Sequence, residues 1–160
     1  MTSASDLHAV EHEAVRRLVR YYEEAAGRMQ GMPVCNPALV VEGVDFRELD
    51  GRRIGVIVTP WFMNLTVLPA DADRSTWRNG GAARIAVPSG LYDFVVSEAG
   101  DAGPIATRSL FSLMHEFADQ DSARVAAGAA VDALFEPPPP PTSPSPVPPV
   151  MSRRRFLRGG

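Results

Sequence analysis

Leu39-Val-Val-Glu-Gly-Val-Asp-Phe46, followed by Asp50-Gly51 and then Arg53-Ile-Gly-Val-Ile-Val-Thr59, is the stretch that decides the fold class. The first run is rich in β-branched residues and partly alternates apolar with polar. Asp-Gly is a turn former, and the second run reads as the returning strand of a hairpin. Pro60 stops that strand and Pro69 stops the next, leaving a short apolar strand at 65–68. Residues 71–82, with Asn79-Gly80-Gly81, read as a loop. Strands are expected at 84–87 and 91–96, joined across Pro88-Ser89-Gly90, while 105–109 is either a last strand or the approach to a helix. On the N-terminal side, Ser5 and Asp6 are candidate caps for an amphipathic helix over 6–28, with Val15, Leu18, Tyr22 and Ala25 at helical spacing. Helical character returns at 113–135, with Gly128 as its weak point. Strands in series joined by tight turns imply an antiparallel sheet, and the two terminal helices are expected on one face of it. The fold class is α+β.

The 160 residues are 45% hydrophobic, with a mean hydropathy of −0.07, which suits one domain built on one core. Charge is divided unevenly. All nineteen acidic residues lie before residue 137 together with twelve arginines, a difference of −7, and the other four arginines fall in the last eight residues. An acidic body favours a partner that presents a basic segment and argues against nucleic acid. There is no apolar run of membrane-spanning length and no secretory pattern at the start, so a cytoplasmic protein without membrane insertion is expected. The lone Cys35 fits a reducing compartment and excludes an internal disulfide. Nine of the fifteen prolines crowd into 137–149. The chain therefore divides into a globular domain at 1–136, a proline-rich linker at 137–149 and a basic tail at 150–160. The linker and tail are expected to be disordered apart from polyproline-II character.

Residues with catalytic or metal-binding chemistry do not assemble into a constellation. His8 and His12 stand at metal-ligand spacing, but a zinc or iron site needs further ligands, and a solvated helix face is the simpler reading. Asp71/Asp73 and Asp119/Asp121 read as hydrated carboxylate pairs. No cofactor, metal or catalytic residue is assigned, and the chain is read as a non-enzyme. Two segments stand out instead. Trp61-Phe62-Met63 puts three large apolar residues in succession, and they cannot all face one core. They either cap the end of the sheet or form part of a binding surface. The other segment is Ser152-Arg153-Arg154-Arg155-Phe156-Leu157-Arg158, which matches the S-R-R-x-F-L pattern of twin-arginine export signals, at a position from which it is not expected to direct export.

Asn36-Pro-Ala-Leu39 with Glu42 and Phe46, Thr59-Pro-Trp-Phe-Met-Asn-Leu65, Pro88-Ser-Gly90 with Phe94, and Ser109-Leu-Phe-Ser112 with Glu116-Phe-Ala-Asp119 together resemble the HybE family (HupJ/HoxT-like). These are accessory proteins of nickel–iron hydrogenase maturation. Leu113 departs from the family pattern, which has proline there. The resemblance implies a chaperone whose client is the hydrogenase small-subunit precursor with its twin-arginine signal, or alternatively the large subunit, with other maturation proteins as further partners. By motif position, the client-binding candidates are Trp61, Phe62, Met63, Asn64, Phe111, Glu116 and Phe117. Glu42, Asp45 and Glu48 are candidate acidic contacts for guanidinium groups. Arg153, Arg154, Phe156 and Leu157 copy a client signal and are a candidate occupant of the client site.

Overall fold

The computed structural model describes residues 4–139, with side chains from Glu13 onward. The side chains of His8 and His12, most of the proline-rich stretch and the whole basic tail lie outside the described residues. The chain runs α1 (Ala4–Met29), β1 (Glu42–Leu49), β2 (Arg52–Val58), β3 (Met63–Leu68), α2 (Asp71–Arg74), β4 (Ala82–Val87), β5 (Gly90–Glu98), β6 (Pro104–Phe111) and α3 (Gln120–Phe135). All pairings are antiparallel, and the strands lie in the order β1-β2-β3-β6-β5-β4. The α+β class with terminal helices packed on an antiparallel sheet is thus observed. Residues 105–109 resolve in favour of a strand, and β6 sits in the middle of the sheet.

The helices do not share a face. Ile54, Val56 and Val58 of β2 join Val67 of β3 and Ala106 of β6 under Ala123, Ala127 and Val131 of α3. The alternate positions Ile57, Leu68 and Ile105 pack against Leu18 of α1 on the other side. A sheet covered on both faces needs central strands that are apolar without alternation, and β2 is buried at five consecutive positions, Ile54–Val58. That unbroken run was the sequence signal for two covered faces.

The β1–β2 hairpin closes through Asp50 and Gly51, both at positive φ (54° and 82°), as a two-residue turn matched to strand twist requires. The Glu48 carboxylate accepts the Gly51 amide at 2.9 Å. Further along β1 the register slips between Val44 and Arg47, with Asp45 at φ 55°. This bulge turns Phe46 over Gly55, where an added Cβ would stand 2.5 Å from the ring and 2.8 Å from the Phe46 Cα.

Two other departures from the sequence reading have local causes. Residues 113–119 are not helical, because Asp119 caps α3: its carboxylate accepts the Ser122 amide at 2.8 Å, and the Ser122 hydroxyl approaches the Asp119 amide. Within 71–82, Asp73 is buried rather than hydrated. Its carboxylate accepts from Arg52 Nε at 2.7 Å and Nη2 at 2.8 Å, and from the Ala70 amide at 3.0 Å. The Arg52 hydrogen bond holds the Asp73 pKa below the usual carboxylate range against the opposing effect of burial.

Two outcomes follow from these contacts. Gly55→Ala should cost about 2–3 kcal/mol, because both the Phe46 ring and its backbone must move; equilibrium urea unfolding measures it. Asp73→Asn should cost about 2 kcal/mol near pH 7, less than a fully buried pair because Arg52 is partly exposed. A depressed carboxylate pKa contributes stability above the unfolded value near ~3.9 and loses it as pH falls through the folded value. The gap between the Asp73→Asn variant and the unsubstituted chain should therefore shrink below about pH 4, which unfolding curves between pH 3 and 7 would show.

Candidate functional site

Four segments far apart in sequence meet at one end of the sheet, and a single buried amide joins three of them. Asn36 Nδ2 donates to the carbonyls of Met114 and Phe117 at 2.9 and 2.8 Å, while its Oδ1 accepts from the Ala38 amide at 3.0 Å. The Asn36 backbone amide donates to the Pro60 carbonyl at 2.8 Å. The loop after α1, the β2–β3 turn and the approach to α3 are therefore pinned to one another. A fourth connection comes from Gln120, whose side chain bonds both backbone groups of Val40 and also Glu42.

The β2–β3 turn is organised by Thr59. Its hydroxyl accepts the amides of Trp61 (3.2 Å) and Phe62 (2.9 Å), and its own amide donates to the Phe62 carbonyl. This tight turn divides the three large residues that follow Pro60. Trp61 is half-buried, and its ring meets Phe62 edge-on at 5.5 Å. Phe62 meets Tyr22 of α1 at 5.5 Å, and Tyr22 meets Tyr21 at 5.1 Å. Burial, with the neighbouring Tyr21, pushes the Tyr22 hydroxyl up to about 12. Met63 turns the other way and is fully buried in the core under α3.

Beside this turn lies an apolar groove of about 620 Å³ between the C-terminal end of α1 and the loop that follows it. Ala26, Met32, Leu39, Val40 and Pro60 supply its apolar lining, and Glu23 stands on its lip. Met32 and Val40, which line the groove together, are 48% and 63% exposed. Glu23 makes no ion pair among the described residues. Cys35 also lines the groove, with its thiol 3.5 Å from the Met29 carbonyl.

The other candidates named from the sequence are distributed around this end. Asn64 is half-buried on the sheet face opposite Met63, and Phe111 meets Phe117 edge-on at 5.1 Å, with Phe117 buried and Glu116 exposed beside it. The acidic candidates have partners within the fold. Glu42 receives Arg124 and Gln120; burial pushes its pKa up, and the hydrogen bonds from Arg124 and Gln120 outweigh that and lower it. Asp45 is paired with Arg47, which also reaches Asp132, and Glu48 serves the hairpin turn. Among the described residues no group of three or more His, Cys, Asp or Glu is arranged to hold a metal ion, and no helix is long and apolar enough to cross a membrane. Asn36, Pro37, Leu39 and Pro60 of the groove fall within the family pattern, but none of them, nor Glu23, was named from the sequence as a client contact. The available signal was the exposed apolar set Met32, Val34 and Val40 in a segment broken by Gly31, Pro33 and Pro37.

Comparison with known proteins gives consistent matches. The family model described as NiFe-hydrogenase assembly, chaperone, HybE matches residues 13–159. The hydrogenase expression/formation protein HupJ of Bradyrhizobium diazoefficiens is 44% identical over 142 residues, covering 87% of this chain and 83% of that protein. The hydrogenase expression/formation protein HoxT of Azotobacter vinelandii is 37% identical over 139 residues, covering 86% and 90%. The solution structure of HybE from Escherichia coli is alike in fold, with a TM-score of 0.61 at 20% identity over 89% of this chain and 90% of that one.

Asn36→Ala should destabilise the chain by about 2–4 kcal/mol, since it strips two buried carbonyls and one amide of their partner at once. In urea the midpoint should fall with the slope unchanged.

Proposed function

Because the chain belongs to the HybE family of NiFe-hydrogenase assembly chaperones, we propose that its client is the hydrogenase small-subunit precursor, whose twin-arginine signal it shields until cofactor assembly is complete. The observation that carries this reading is the apolar groove lined also by Glu23, a carboxylate with no ion pair among the described residues. An export signal presents two guanidinium groups followed by an apolar stretch, and the groove offers the complement to each. Glu23 would meet a guanidinium, and Met32, Leu39 and Val40 would take up apolar side chains from water. The net −7 of residues 1–136 adds long-range attraction for a basic segment, which raises the rate of encounter more than the final affinity.

In this reading the roles of the candidate residues differ. Trp61, Asn64 and Glu116 have accessible surface with which to touch a client. Phe62, Met63, Phe111 and Phe117 hold the turn and the approach to α3 in position. Glu42, Asp45 and Glu48, already engaged within the fold, contribute to the field rather than to a new ion pair. The chaperone supplies shielding and timing and no reaction of its own, and it acts in the cytoplasm, where the precursor is still unexported. Other maturation proteins would meet the complex there.

Fluorescence anisotropy with a labelled peptide carrying S-R-R-x-F-L and its apolar region tests the proposal. Binding to the full chain should weaken about tenfold in Glu23→Arg and in Trp61→Ala, and the Glu23→Arg effect should shrink as salt rises. A peptide that binds neither the full chain nor any variant, while purified large subunit does bind, would transfer the client role to the large subunit.

A further inference from the structure

We infer that in the free protein the groove is occupied by the chain's own residues 152–158, so that a client signal must displace an internal copy of itself. This rests on the reading of the groove as a signal-binding site and adds its regulation.

Three observations carry the inference. The first is chemical complementarity. Residues 153–155 and 158 are arginines, and Phe156 and Leu157 lie between them. The groove sets the Glu23 carboxylate, which has no ion pair among the described residues, beside an apolar lining, so one short segment of this chain satisfies both halves of the site. The second is the apolar surface of the groove. Met32 and Val40 line the same cavity and are both largely exposed, so a segment seated there would take apolar surface out of water.

The third observation is reach. α3 begins at the groove, since Gln120 is bonded to the backbone of Val40, and it spans sixteen residues to Phe135. A helix of that length carries the chain about 24 Å away. Residues 137–149 hold nine prolines, and thirteen residues in polyproline-II geometry extend about 40 Å. The return path is therefore shorter than the linker. A ligand tethered this way experiences an effective concentration of about a millimolar, so self-binding with a dissociation constant near 100 μM would fill roughly nine sites in ten. A client binding more tightly still displaces it, at an apparent affinity lowered about tenfold.

The single native cysteine makes the test direct, because Cys35 lines the groove. Leu157→Cys in the full chain should form an intramolecular disulfide with Cys35 under mild oxidation, visible by mass and by mobility without reductant. Adding Arg153→Ala and Arg154→Ala should slow that cross-link at least fivefold, as should excess signal peptide. In parallel, the labelled signal peptide should bind the chain carrying Arg153→Ala, Arg154→Ala, Phe156→Ala and Leu157→Ala about tenfold more tightly than the unsubstituted chain. A cross-link whose rate ignores the arginines reflects mere collision on the tether and overturns the inference. Equal peptide affinity with and without the tail residues overturns it too, and leaves the client reading standing. A disulfide formed only between molecules would assign the groove to the tail of a second copy, which also overturns self-occupancy. An arginine-dependent intramolecular cross-link, with no peptide binding to either chain, would support the docked tail and remove the signal-binding client.

Discussion

The Asn36 carboxamide is the constraint on which the groove end of the molecule depends. An isolated amide buried at 7% exposure would be a liability, since each unmet polar atom costs free energy. Here both of its atoms are used, on backbone groups of the loop after α1 and of the approach to α3, and the same residue's amide holds the turn between β2 and β3. These contacts span separations of about 80 residues within the chain, so they form only when the sheet is assembled. The groove is a product of that assembly: its loop wall is held by Asn36 and Gln120, and its helical wall by the packing of α1 on the sheet through Leu18.

The sheet divides labour between its faces. The α3 face holds the larger core, where alanines at 123 and 127 let the helix approach closely and Val131 and Leu134 continue the same stripe. The α1 face holds a smaller cluster around Leu18, with Phe46 turned in by the β1 bulge and Phe62 joined to Tyr22. α1 extends past this cluster to the end of the sheet, and its last turns overhang the loop that follows. The apolar surface exposed there belongs to the groove rather than to an incomplete core.

Much of the fold was legible because its signals are local. Asp50-Gly51 fixed a hairpin, and Pro60, Pro69 and Pro88 marked strand ends. What could not be read depended on contacts distant in sequence. Whether 113–119 was helical turned on where the cap would fall, and Asp119 with Ser122 won over the apolar pattern before it. Asp73 looked like a solvated loop carboxylate because its partner, Arg52, lies 21 residues earlier. Trp61-Phe62-Met63 announced a special position, and alternation correctly required the three to diverge. Only the Thr59 turn decided which would point where, with Met63 inward and Phe62 onto α1. The groove escaped because it forms only where the end of α1 meets the loop after it, and the motif residues Asn36, Pro37 and Leu39 do not by themselves show that juxtaposition. Asn36 was visible as part of a family pattern, yet its role depends on carbonyls that no pattern displays.

The bulge in β1 has a consequence for release. β1 is an edge of the sheet, and an extended segment laid along an unbroken edge would be held by a ladder of main-chain hydrogen bonds indifferent to its sequence. The register break between Val44 and Arg47, with Asp45 in the left-handed region, interrupts that ladder midway. Arg47 and Glu42 are turned toward α3 by their pairing with Asp132 and Arg124. A polypeptide laid along β1 is therefore denied a continuous zipper of strand addition at that edge and must rely more on side chains there. In a member of an assembly-chaperone family, a blunted β1 edge favours temporary hospitality over permanent annexation into the sheet.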